Sequence, residues 1–140
     1  DKMVGLSSAG SFVILSICLF SSYAKAEDNQ SYFCLAGQAS GFGMNEFGMW
    51  SSKVFDVSRE QHLLRHKKRG WEWLIPGENN TAASCPSFNP VGYLFCDLGF
   101  GSLVFNRNTM RYIETYTHGY VDGDKKSATP AITIGECTRL

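Results

Sequence analysis

Three histidines, thirteen acidic side chains, five cysteines and one basic run are the residues of this 140-residue chain best equipped to act on another molecule. His62 and His66 are four apart, and on a helix they would share one face, with His118 as a third ligand, in the pattern that zinc sites use. A zincin helix also needs Glu directly after the first His, and Leu63 stands there instead. On a strand the same two histidines would lie about 13 Å apart by the strand rise, too far to share an ion. No metal site is therefore expected. Hydrolysis by paired carboxylates needs two of them at a set separation, and Glu72 and Glu114 are the candidates, although a carboxylate chosen at random is far more often solvated surface. No Gly-x-Ser-x-Gly elbow is present, and the glycines of the 40–50 stretch have neither the Gly-Lys-Ser/Thr ending of a phosphate loop nor dinucleotide spacing, so no cofactor is expected.

Two stretches carry binding chemistry instead. Arg65, Lys67, Lys68 and Arg69, grouped around His66, suit an anionic glycan or lipid surface; the plainer reading is a solvated turn. Phe42, Met44, Phe47, Met49 and Trp50 place large apolar groups among Gly41, Gly43 and Gly48, as a contact surface for an envelope protein would; the plainer reading is a loop whose glycines only permit turns.

The elements that position these residues read as strands. Leu94 and Cys96, Leu103 and Phe105, then Arg111, Ile113 and Thr115 recur every second residue, with Asp97–Gly101 and Asn106–Thr109 as turns, which predicts a three-stranded meander over 93–121. A fourth strand, Ala131 to Thr138, is expected to add Ile132 and Ile134 to the same core. Strict alternation then puts Cys137 on the opposite face, so a bulge at Gly135 is expected to bring it back. Tyr32–Ala39 is the first strand, 40–50 a long loop, Lys53–Val57 a short strand and 78–89 a loop. The segment Ser58 to Pro76 has helix signals, Ser58 with Gln61 as a capping box and Gly70 as a stop, against the alternation of Trp71, Trp73 and Ile75. The alternation favours a hairpin turning at Lys67 to Gly70.

Upstream, Phe12–Phe20 is a nine-residue apolar run followed by Ala24-Lys25-Ala26, which reads as a signal peptide over 1–26 cleaved after Ala26; retention as an anchor is the alternative. The run is short of the about 20 residues a spanning helix needs, and no transmembrane segment is expected in the mature chain. Lys2, Lys25 and Asp1 leave with the leader, so residues 27–140 form one domain with 11 basic and 12 acidic residues. That balance does not steer toward nucleic acid. Cys34, Cys85, Cys96 and Cys137 remain, an even number that after export implies two disulfides. Three pairings are open, of which Cys85 with Cys96 and Cys34 with Cys137 is favoured. The expected fold is all-β or mainly β, a single antiparallel sheet, strongly bent or a small open barrel, tied by two disulfides.

The pattern Arg111-Tyr112, Tyr116, Gly119-Tyr120-Val121, Thr129-Pro130, Ile132, Ile134-Gly135 and Cys137 resembles small exported hypothetical proteins of Gram-negative bacteria. The resemblance implies a periplasmic or secreted, disulfide-tied β domain and carries no activity. Two functions are therefore expected in order: a non-catalytic binding or structural module of the envelope, then a small periplasmic hydrolase using paired carboxylates.

Overall fold

The computed structural model describes residues 30–123 and 129–140, so the signal-peptide reading over 1–26 lies outside it. The chain forms nine strands and, among the described residues, no helix: β1 Ser31–Met44, β2 Trp50–Phe55, β3 Gln61–Lys67, β4 Gly70–Leu74, β5 Thr81–Cys85, β6 Tyr93–Asp97, β7 Gly101–Asn106, β8 Arg111–Tyr116 and β9 Ala131–Arg139. All nine belong to one antiparallel sheet, eight of them in the order β5-β4-β3-β1-β9-β8-β7-β6, with β2 off this path and paired with the far half of β1. The sheet curls until its two end strands meet. No ladder joins β5 to β6; the Cys85–Cys96 disulfide closes that seam, with Cα atoms 4.6 Å apart. Cys34 and Cys137 are directly opposite on β1 and β9 and form the second disulfide, Cα atoms 3.9 Å apart. Side chains come closest at non-hydrogen-bonded pairs of an antiparallel ladder. The Cys137 amide donates away from β1, to Met110 O at 2.7 Å, so this pair is of that kind.

Local chemistry explains the strands. The helix signals over 58–76 lose to alternation: β3 and β4 form a hairpin with Lys67 opposite Gly70, and Leu64, Trp71 and Trp73 are buried. Gly70 adopts φ +117, and a Cβ there would meet Cys85 O at 2.3 Å, so glycine is required where the hairpin passes β5. The barrel interior is packed with rings. Tyr32 lies 5.6 Å from Trp71 and 5.0 Å from Phe105, and Phe88 closes one end against Trp71 at 5.0 Å. Such tilted and edge-on pairs add about 0.5–1.5 kcal/mol each beyond burial.

Five expectations are corrected here. On β8 the buried ring is Tyr112, 2% exposed, and Arg111, Ile113 and Thr115 face the other way, Ile113 at 47%. On β9, Ile132 and Ile134 are likewise outside the core, 53% and 46% exposed, while Gly135 and Cys137 point in. The β8–β9 ladder runs unbroken through Gly135; the register shift falls on β1, between Ala36 and Gln38, opposite Gly135 and Ile134. Strict alternation back from Cys137 holds along β9, and the irregularity sits on its partner. The 40–50 loop and the 78–89 loop each contain strand: β1 runs on to Met44 and β2 begins at Trp50, and β5 occupies Thr81–Cys85. Glycine content hid the first, since Gly41 and Gly43 are strand residues whose missing side chains admit Pro130 O and the Lys53 stem.

Candidate functional site

The predicted aromatic segment becomes a β-hairpin that projects past the barrel. Its turn is fixed by Asn45, whose Oδ1 accepts from the amides of Phe47 (3.0 Å) and Met49 (2.9 Å), with Gly48 at φ +74. Phe42, Phe47 and Met49 are exposed, and Met44 and Trp50 half-buried, Trp50 edge-on to Tyr120 at 5.4 Å. The hairpin does not stand alone. Phe42 and Val54 line a groove of about 670 Å³ with Ile132, and from Ile132 the outward face continues into a second groove of about 880 Å³ lined by Phe33, Leu35, Ile113 and Ile134. Across it, Ile134, Ile113, Val104 and Phe95 are consecutive cross-strand neighbours on β9, β8, β7 and β6. An apolar row four strands wide thus faces solvent.

The sequence expectation placed Ile113, Ile132 and Ile134 in the core and so missed this face. The signal that finds it is the parity of Cys137: a buried disulfide cysteine at 137 puts 132 and 134 on the outer face once the strand is unbroken.

The basic residues lie elsewhere. Ser31 pairs with Arg65 and Met44 with Trp50, so the Lys67–Gly70 turn and the hairpin tip are at opposite ends of β1. The structure does not bring the two predicted binding regions together. Arg65 and Lys67 are also partly committed, because both reach Glu72 on the outer surface of β4: Arg65 Nη2 donates to Oε2 at 2.9 Å, Lys67 Nζ pairs with Oε1, and Thr81 Oγ1 donates to Oε1 at 2.7 Å. Burial works to raise the Glu72 pKa, but the bonds from Lys67, Thr81 and Arg65 outweigh it and hold the carboxyl at about 2.

Glu114 shares neither face nor charge environment with Glu72. It follows Tyr112 on the inward side of β8, where burial first and then the charge of Glu60 raise its pKa; the nearby Trp73 indole opposes that rise without completing a hydrogen bond. Around it, Tyr112 OH, Trp73 Nε1 and His62 Nδ1 are buried without a protein partner, and the His62 ring stacks on Trp73 at 4.4 Å. Burial lowers the His62 pKa, and it raises that of Tyr112 with help from Glu114 and Glu60. The expected Glu72–Glu114 pair is therefore not assembled. Among the described residues no three His, Cys, Asp or Glu side chains group as a metal site would require. Nor is any helix there long and apolar enough to cross a membrane.

Comparison of the chain with protein families, with curated proteins and with solved structures finds no match in any of the three.

Proposed function

We propose that the protein is an exported, non-catalytic binding module of the bacterial envelope. The observation that carries this reading is the outward apolar row Ile134, Ile113, Val104 and Phe95, continuous through Ile132 with Phe42 on the projecting hairpin. Contiguous apolar surface of this kind marks partner sites on folded domains, whereas singly scattered apolar residues do not. Two intramolecular disulfides belong to an oxidising compartment, which supports export together with the leader pattern. The hydrolase reading is the weaker one: Glu72 faces outward and is neutralised by cations, while Glu114 lies on the inward side of β8 with the charge of Glu60 nearby, so the two expected carboxylates do not work as a pair.

Two surface variants test the reading, Phe42→Ala with Trp50→Ala, and Ile113→Ser with Ile134→Ser. Each oxidised protein is immobilised and challenged with envelope extract. A partner retained by the unmodified chain and lost from either double variant supports the module and locates its surface. Retention unchanged in both, at equal thermal stability, refutes it.

A further inference from the structure

The apolar row on the outer face has a different border on each side, and the ladder registers fix both. On one side Glu136, Arg111 and Asn106 are consecutive neighbours on β9, β8 and β7; on the other stand Ile132, Thr115 and Ser102. Arg111 Nε lies 3.4 Å from Glu136 Oε1, with side chains 73% and 75% exposed, so a solvated pair of opposite charges marks one edge of the row. The adjoining strand supplies a hollow. The register shift on β1 leaves Gly37 as the extra residue beside Ile134, and Ala36 and Gly37 line the groove of about 880 Å³ where larger side chains would fill it.

This face is complementary to itself. Two copies meeting about a twofold axis present the same residues to each other in reverse order. An axis across the strands would lay Glu136 on Ile132 and Arg111 on Thr115, covering charges with groups that do not neutralise them. An axis along the strands keeps each row on its own counterpart, and charge then decides where the axis runs. Centred on β9 it opposes Glu136 with Glu136, and centred on β8 it opposes Arg111 with Arg111. Between β8 and β7 it turns both charges toward the neutral Asn106 and Tyr93. Only midway between β9 and β8 does Arg111 of each copy face Glu136 of the other, and there Ile113 also faces Ile134. With that axis β7 of the second copy lies over β1, which brings its Val104 to the hollow at Gly37. One placement thus matches charge, apolar surface and shape.

We infer that the outer face of β8 and β9 is covered by a second copy of this chain, in a twofold homodimer whose Arg111 and Glu136 pair reciprocally across the axis. The inference rests on the reading of the apolar row as a docking surface and names its occupant. An interface of one apolar row and its borders belongs to the small, transient class.

Sedimentation velocity of the oxidised chain, from micromolar to near-millimolar concentration and at low salt where exposed pairs are least screened, is expected to show a monomer–dimer equilibrium. Arg111→Glu and Glu136→Arg each leave the apolar row intact. Each alone turns two opposed pairs into two like pairs, and is expected to weaken self-association about 30-fold. Mixed in equal amounts, the two variants bring an acidic edge against a basic one, and association is expected to return. The double exchange in one chain is expected to restore it as well. A chain that sediments as a monomer at every concentration overturns the inference. So does a dimer indifferent to either charge reversal at equal melting temperature, or one that mixing fails to restore. Capture from envelope extract separates the two readings. A captured partner on a chain that never dimerises overturns this inference alone, whereas a dimer with these charge responses and no captured partner upholds it and removes the envelope partner.

Discussion

Glu72 shows how a single side chain can be invisible in sequence and decisive in structure. Nothing in Trp71-Glu72-Trp73 says that its carboxylate is 3% exposed, because its cover comes from Arg65 and Lys67 across the hairpin and Thr81 across the next strand. Its folded pKa of about 2 lies below the ordinary 4.5, so its contribution is complete above pH 4.5 and is lost as pH falls toward 2. The two cations are half in water, with side chains 52% and 58% exposed, which limits the gain. Glu72→Ala is expected to cost about 1–2 kcal/mol at pH 7 and nearly nothing near pH 2. Urea denaturation across that range measures both; an equal loss at both pH values would show that the packing of Glu72, not its charge, is what stabilises.

At the scale of the element, β8 and β9 show what periodicity leaves open. The period of two was correct over 111–116 and 131–138, but each strand has two faces and the pattern alone does not say which turns inward. Arg111-Tyr112-Ile113 offers an apolar residue to both sides. The choice is made by Gly135: on the ladder Tyr112 is directly opposite it, and the Tyr112 ring lies where a Cβ of residue 135 would sit, 2.4 Å from the ring edge, with Leu35 O at 2.3 Å. Tyr112 thus fills the interior that Gly135 vacates. Gly135→Ala is expected to destabilise by about 1–3 kcal/mol through overpacking, while Gly37→Ala, whose nearest neighbour would be Ile134 O at 3.5 Å, is expected to be close to neutral. Comparable melting temperatures for the two variants would refute this account of the β8–β9 face.

For the molecule as a whole, the two disulfides do different work. Cys34–Cys137 closes 103 residues and Cys85–Cys96 closes 11, so chain entropy assigns them about 5 and about 3 kcal/mol respectively. The longer one joins strands already paired from Tyr32–Arg139 to Gly41–Ala131, whereas the shorter one joins strands with no ladder between them. Cys85→Ala with Cys96→Ala is therefore expected to cost less global stability than Cys34→Ala with Cys137→Ala, yet to release the amides of β5 and β6 selectively in native-state hydrogen exchange. Uniform loss of protection across all strands in the seam variant would show that the barrel opens only as a unit.

Taken together, these cases separate what the amino-acid order fixes from what it cannot. The order alone determined the strand class, the hairpin at 67–70, the turns within the meander, and the cysteine number that makes two bridges, because each rests on neighbours within a few residues: alternation, glycine and asparagine at turns, parity of a count. Strands inside the glycine-rich 40–50 stretch and at 81–85 were hidden because their pairing partners, not their own composition, hold them extended. Tertiary structure alone decided which face of β8 and β9 turns inward, that β5 meets β6, and that Glu72 and Glu114 part to opposite sides of the sheet. Each of those depends on residues tens of positions apart being brought to one wall or one rim, and closure of the sheet is the step that does so.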